Sequence, residues 1–237
     1  APQGARQGIM FWDAATGREV RYVPGGPCPA HAFSQNGPFV DPGRPVVGIA
    51  YASSTGPGDG PACDPQRSAV IHLDLRTGKK EELATRDTSA SGSGFGYSST
   101  SADGRYVAIA DGARPWVVDT VTDREVFAVQ ASGSTAALSK DGSKVVTGGG
   151  VDPLTLWDVR SGERLGTFGE AGLGSVAVQF DEDEDTLVVI GSQGSGVLLY
   201  DIASGRERLA LRGHQAPVRG ANLSRNGSRL TSYAADG

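Results

Sequence analysis

Five stretches of the 237-residue chain repeat one pattern: an apolar run that ends in Asp, a tight turn, and a charged restart. They read IMFWDAATGRE from Ile9, VIHLDLRTGKK from Val70, PWVVDTVTDRE from Pro115, LTLWDVRSGER from Leu154 and VLLYDIASGRE from Val197. The aspartates fall at 13, 74, 119, 158 and 201, giving intervals of 61, 45, 39 and 43 residues, the first enlarged by an insertion. A second element alternates with the first. FSQNGPFV from Phe33, TSADGRYVAIA from Thr100, LSKDGSKVVTG from Leu138 and LSRNGSRLTSY from Leu223 each join two runs through Asn-Gly or Asp-Gly. Those dipeptides tolerate the positive φ that two-residue hairpin turns need. In the fifth corresponding place, FDEDEDTLVV from Phe180, the turn has no glycine.

Four short strands per repeat at a period of roughly 40–45 residues is the signature of propeller blades. Composition agrees with an all-β chain. The 35 Gly and 13 Pro make up about a fifth of the residues, close to the level at which disorder becomes a reasonable reading. Here they recur between short runs rich in Val, Leu, Ile and Ala, which marks turns between strands. No stretch combines helical periodicity with helical length. At 38% apolar residues a sizeable core can be buried.

The segments also resemble the WD-repeat family. TLWD at Thr155–Asp158 and FWD at Phe11–Asp13 carry the Trp-Asp pair, and RGHQAPV at Arg212–Val218 carries the Gly-His pair. The resemblance runs over nearly the whole chain. It implies one β-propeller domain over 1–237 whose blades are four-stranded and antiparallel, at about 30–85, 94–129, 133–168 and 174–211. A fifth is split, with its inner strands near 217–234 and its outer strands near 9–23, so the two chain ends share it. The alternative is a fragment of a larger ring, most often of seven blades in this family. The resemblance further implies a structural network in the last blade. Asp236 would orient His214, whose ring bonds the Ser232 hydroxyl, which in turn accepts from the Trp12 indole. The other blades are degenerate: Trp157 has no His ahead of its blade, and blades one, two and four end their third strand in Leu-Asp, Val-Asp and Tyr-Asp.

Few residues form chemistry-bearing constellations. His214 reads as structural. His72 alternates with apolar neighbours in a strand, and His31 sits in a Pro-rich loop with no evident partner. The acidic run from Asp181 to Asp185 lacks the glycine and the distal Glu of a calcium loop, and is expected to be a solvated turn. The strand-end aspartates are expected to accept backbone N–H bonds in their turns. The glycines at Gly148–Gly150 and Gly92–Gly96 lead into no helix and no Lys-Ser or Lys-Thr follows, so the means of holding phosphate is missing. No nucleophile, base and orienting acid assemble. No catalytic residue, metal site or cofactor is expected. Cys28 and Cys63 are either two unpaired thiols or a disulfide around 34 intervening residues. Free thiols would favour the cytoplasm, and a disulfide would place the protein outside it.

A net charge of -5 argues against nucleic acid as the main partner, because phosphate contacts demand a basic face. No apolar run is long enough to insert in a membrane. The reading that follows is a non-enzymatic protein–protein interaction scaffold, or the docking or sensor module of a larger regulatory protein. The Ala, Gly and Arg content suggests a GC-rich bacterial genome. In the WD-repeat family the face carrying the fourth-to-first and second-to-third strand connections is the usual docking surface. Phe95, Tyr97, Arg114, Gln193 and Arg219 fall on or near it, and aromatic and Arg residues are the usual interface anchors. The alternative function is a propeller enzyme or small-ligand-binding protein, lactonase-like or glycan-active.

Overall fold

The alternating turns divide the chain into antiparallel hairpins, and the computed structural model shows how these associate. It describes residues 8–24, 39–40, 46–52, 67–74, 77, 79–87, 99–110, 114–129, 133–172, 176–191, 196–224 and 227–236. All regular structure among them is β-strand. A hairpin, β1 (Gly8–Trp12) and β2 (Glu19–Pro24), comes first. Blade one is β3 (Phe39–Val40), β4 (Val46–Ala52), β5 (Arg67–Asp74) and β6 (Lys80–Asp87). Blade two is β7 (Ser99–Thr100), β8 (Tyr106–Ile109), β9 (Trp116–Asp119) and β10 (Arg124–Ala128). Blade three is β11 (Thr135–Leu138), β12 (Lys144–Gly149), β13 (Asp152–Asp158) and β14 (Arg164–Phe168). Blade four is β15 (Val176–Phe180), β16 (Thr186–Gly191), β17 (Gly196–Asp201) and β18 (Glu207–Arg212). A last hairpin, β19 (Val218–Leu223) and β20 (Leu230–Ala234), follows. Within each blade, strand order follows chain order and every pairing is antiparallel. The all-β propeller expected from the repeat is the fold observed, with the four full blades at the predicted places.

The two terminal hairpins, expected to share a blade, form two-stranded sheets of their own, β19–β20 and β1–β2. No covalent turn links β20 to β1, so pairing them would depend on side-chain and ladder contacts that must overcome the entropy of closing the chain on itself.

Both turn types are built as the sequence suggests. In the outer turns the aspartate Oδ1 accepts backbone N–H bonds: from Ala15 and Thr16 at Asp13 (both 2.9 Å), from Arg160 and Ser161 at Asp158 (3.0 and 2.7 Å), and from Ser204 at Asp201 (2.8 Å). Gly17, Gly162 and Gly205 close these turns at φ of 66°, 73° and 69°. Asp123 occupies the same place in blade two at φ 57°. In the inner turns Ser139 donates its hydroxyl to Asp141 (2.7 Å) and accepts from the Lys144 N–H (2.9 Å), and Ser101 repeats both bonds with Asp103 and Tyr106. Gly142, at φ 72°, lies under the Tyr106 ring, where a Cβ would come within 2.3 Å of the ring.

The core lies between blades. Phe168, Leu154 and Val146 of blade three meet Leu187, Val189 and Tyr200 of blade four, with Phe168 edge-on to Tyr200 at 6.1 Å. Ala108, Val117 and Phe127 of blade two meet Ala136, Val145 and Val159 of blade three. Burial of apolar area at about 25 cal/mol per Å² drives this stacking, and an isolated two- to four-stranded sheet has no other cover for its faces.

Candidate functional site

Three of the four residues predicted to form the structural network come together at the last hairpin. Ser232 lies in β20, Asp236 two residues beyond that strand's end, and His214 ahead of β19. The His214 Nδ1 is 3.1 Å and 3.2 Å from the two Asp236 oxygens, and its Nε2 is 3.0 Å from the Ser232 Oγ. With a neutral ring, Nδ1–H donates to the carboxylate and Nε2 accepts the serine hydroxyl proton. Asp236 also accepts the Gln215 N–H at 2.6 Å. That bond first, then the His214 contact, hold its carboxyl below the usual carboxylate range against the opposing effect of burial. Trp12 does not join. Its side chain is 60% exposed and the hairpin that carries it is a separate sheet, so the Ser232 oxygen lacks the indole donor expected for it.

The indole contact exists elsewhere. Trp157 in β13 donates its Nε1–H to the Thr147 hydroxyl of β12 at 2.9 Å. The sequence marks this blade as degenerate because no His precedes it. The missed signal is the alignment of LSKDGSKVVTG with LSRNGSRLTSY, which puts Thr147 where Ser232 stands.

The acidic run is a turn with Glu182, Asp183 and Asp185 exposed, as expected, and it also straps blade four to blade three. The Lys140 ammonium is 2.7 Å from Glu182 Oε1 and donates to the Glu182 carbonyl at 2.5 Å, and the Lys140 N–H bonds the Glu184 carboxylate. Ala102 N–H bonds the Lys140 carbonyl at 2.7 Å. The inner turns of three successive blades are thus tied into one rim. Glu184 supports it at φ 59°, where the other inner turns carry glycine.

Beside this rim the innermost strands β7, β11, β15 and β19 enclose a cavity of about 540 Å³. Arg219, one of the predicted partner-binding residues, lines it, together with Gln179, Asn222 and Tyr233. Arg114 lies in the β8–β9 connection and approaches Glu125 of its own blade, Nη2 to Oε1 at 4.0 Å. Phe95, Tyr97, Gln193, Cys28 and Cys63 lie outside the described residues, as does His31; His72 is in β5.

The fold has solved counterparts. The chain is similar to one in the crystal structure of the mitotic checkpoint complex, with a TM-score of 0.70 and 17% identity over 98% of this chain and 66% of that one. It is also similar to a chain of Kuenenia stuttgartiensis hydrazine synthase, with a TM-score of 0.57 and 20% identity over 79% of this chain and 52% of that one. The chain therefore spans about two thirds of the first and half of the second. At these identities the likeness shows the fold. No protein-family model matches the sequence, and no curated protein matches it.

Proposed function

We propose that this propeller is a non-catalytic protein–protein interaction module of the WD-repeat kind, a scaffold or the docking or sensing part of a larger regulatory protein. The observation that carries this reading is the cavity at the innermost strands, where Arg219 and Tyr233 stand exposed on the β19–β20 hairpin. Arg and Tyr on a preorganised backbone are the residue types that dominate binding energy at interfaces. The likeness to a chain of the mitotic checkpoint complex supports the same reading, and the net charge of -5 favours a protein partner over nucleic acid. Affinity capture from the source organism with the wild-type chain and with Arg219→Glu tests it. One partner held by the first and lost by the second is expected; no saturable partner with either would end the proposal.

A second reading, a propeller enzyme or small-ligand protein, draws on one feature. Ser232, His214 and Asp236 place hydroxyl, imidazole and carboxylate in the order used to activate a nucleophile. The same chain of bonds also satisfies three polar groups between paired strands, which is the role that the WD-repeat resemblance implies. Lactone or glycoside turnover that is abolished by Ser232→Ala, in a variant that still melts cooperatively, would favour the enzyme.

A further inference from the structure

We infer that the cavity takes an extended, acidic segment of the partner protein, with Arg219 forking onto a Glu or Asp carboxylate of that segment. The inference rests on the interaction-module reading and names the chemistry of its partner.

The shape comes from the strands. The lining of β19 runs from Arg219 to Ser224, about 16 Å at the usual rise per residue of a strand. That length matches roughly five residues of extended chain lying along the same direction.

Charge decides what the segment carries. Among the described residues, four charged side chains line the cavity: Lys140, Asp181, Glu182 and Arg219. Three of them are engaged at the inner-turn end. Lys140 and Glu182 are paired at 2.7 Å, and Asp181 accepts the N–H groups of Asp185 and Thr186 at 3.0 and 3.1 Å. Arg219 lies at the opposite end of β19, exposed, with no ion pair or hydrogen bond among the described residues. The Asp236 carboxylate on its own hairpin is taken by His214 and the Gln215 N–H. A separation of about 16 Å along the strand is twice the Debye length of about 8 Å at physiological salt, so the inner-turn acids do little to offset the Arg219 charge. Among the described residues, the ligand-facing charge at that end is the Arg219 guanidinium, whose planar fork fits a carboxylate with two parallel bonds.

Tyr233 completes the end wall. It pairs across the ladder with Gly220, next to Arg219 in the chain, and its ring covers the space that a Cβ on Gly220 would fill, at 2.5 Å. Gly220 thereby seats an aromatic side chain, 58% exposed, on the hairpin that carries Arg219, and both residues line the cavity. Asn222, exposed on the same strand, adds an amide able to meet the backbone of an extended segment.

The test uses the full chain on arrays of pentapeptides with randomised flanks and a fixed central Glu, Asp, Gln or Lys, followed by fluorescence anisotropy of the best Glu peptide. At least tenfold preference for Glu or Asp over Gln is expected, as is a tenfold loss of affinity in Arg219→Gln. Arg219→Lys should recover part of the binding, and Arg164→Gln, at an exposed position on the outermost strand of blade three, should leave it unchanged. Raising the salt should weaken the wild type and leave Arg219→Gln unaffected. Equal binding of Glu and Gln peptides, unchanged affinity in Arg219→Gln, or equally tight binding of free glutarate would each overturn the inference. If affinity capture still retains a partner with Arg219→Gln while the array shows no acidic preference, the interaction module stands and this site falls. If neither experiment shows binding, the module reading fails with it.

Discussion

At the level of single residues, the left-handed positions of the turns separate what chemistry prefers from what this chain contains. Asp123 holds φ 57° where Gly17, Gly162 and Gly205 stand in the equivalent turns. A side chain in that region costs on the order of 1 kcal/mol, so Asp123→Gly should stabilise the protein by about that amount in urea titrations. The replaced carboxylate is exposed and takes no ion pair away. The two Trp-Asp tryptophans, Trp12 and Trp157, give a second residue-level test. Trp157 donates to buried Thr147, whereas Trp12 is exposed and has no hydrogen-bond partner among the described residues. A double-mutant cycle of Trp157→Phe with Thr147→Val should show a coupling of about 0.5–1 kcal/mol. The cycle of Trp12→Phe with Ser232→Ala should be additive; strong coupling there would mean that the terminal hairpins do meet. Both tryptophans occupy the same place in the repeated motif, so their different fates were not legible in it. The indole needs a neighbouring strand, and only β13 has one on that side.

Among elements, the outer turns are the most regular feature and the most dependent on ionised carboxylates. The Thr16 N–H at Asp13, the Ser161 N–H at Asp158 and the Ser204 hydroxyl at Asp201 are the leading causes that lower these pKa values. Groups whose folded pKa is depressed stabilise fully above the unfolded value, near 4 for Asp, and lose that contribution as pH falls through the folded value. Stability should therefore be flat with respect to these groups from pH 7 to about 5 and drop below pH 4. A denaturation midpoint that rises on acidification through that window would contradict the turn chemistry. Asp119 strengthens the case in blade two. Burial alone would raise its pKa, but two bonds from Arg105 at 3.1 and 2.8 Å and the N–H groups of Val121 and Thr122 outweigh it. Each outer hairpin also carries a bulge, between Phe11 and Trp12, Val70 and Ile71, Leu156 and Trp157, Leu199 and Tyr200, and Glu125 and Phe127. These bulges leave Val20, Val126 and Leu165 exposed, and no alternation of the sequence reveals them, because an inserted residue shifts the period by one.

For the molecule as a whole, stability is shared between blades rather than held within them. Phe168 is 1% exposed and packs against blade four from the edge of blade three. Phe168→Ala should cost about 3–5 kcal/mol in thermal or chemical denaturation. The strap of Lys140 to Glu182, by contrast, joins two half-exposed side chains, and Lys140→Met should change stability by less than about 1 kcal/mol. A larger loss would mean that the inner-turn rim, rather than the apolar stacking, holds blades three and four in register.

The repeat by itself determined the strand order inside each blade, the turn residues and the positions of four full blades. All of these follow from local chemistry: Asn-Gly or Asp-Gly hairpins, an Asp that captures its own turn's N–H groups, and apolar runs of strand length. The trio at His214, Ser232 and Asp236 was equally legible, since its members sit on one hairpin and its approach. What needed the tertiary structure were the contacts between units that the sequence keeps apart. The Glu182 and Glu184 strap depends on blade three presenting Lys140 across the gap. Among the described residues, Arg219 stands unpaired because the inner-turn acids lie a strand's length away and Asp236 is held by His214 and the Gln215 N–H, and Trp12 stands apart because β1 and β20 are in separate sheets. A motif specifies its own hydrogen bonds, but the neighbour that a side chain meets is set by how whole blades stack.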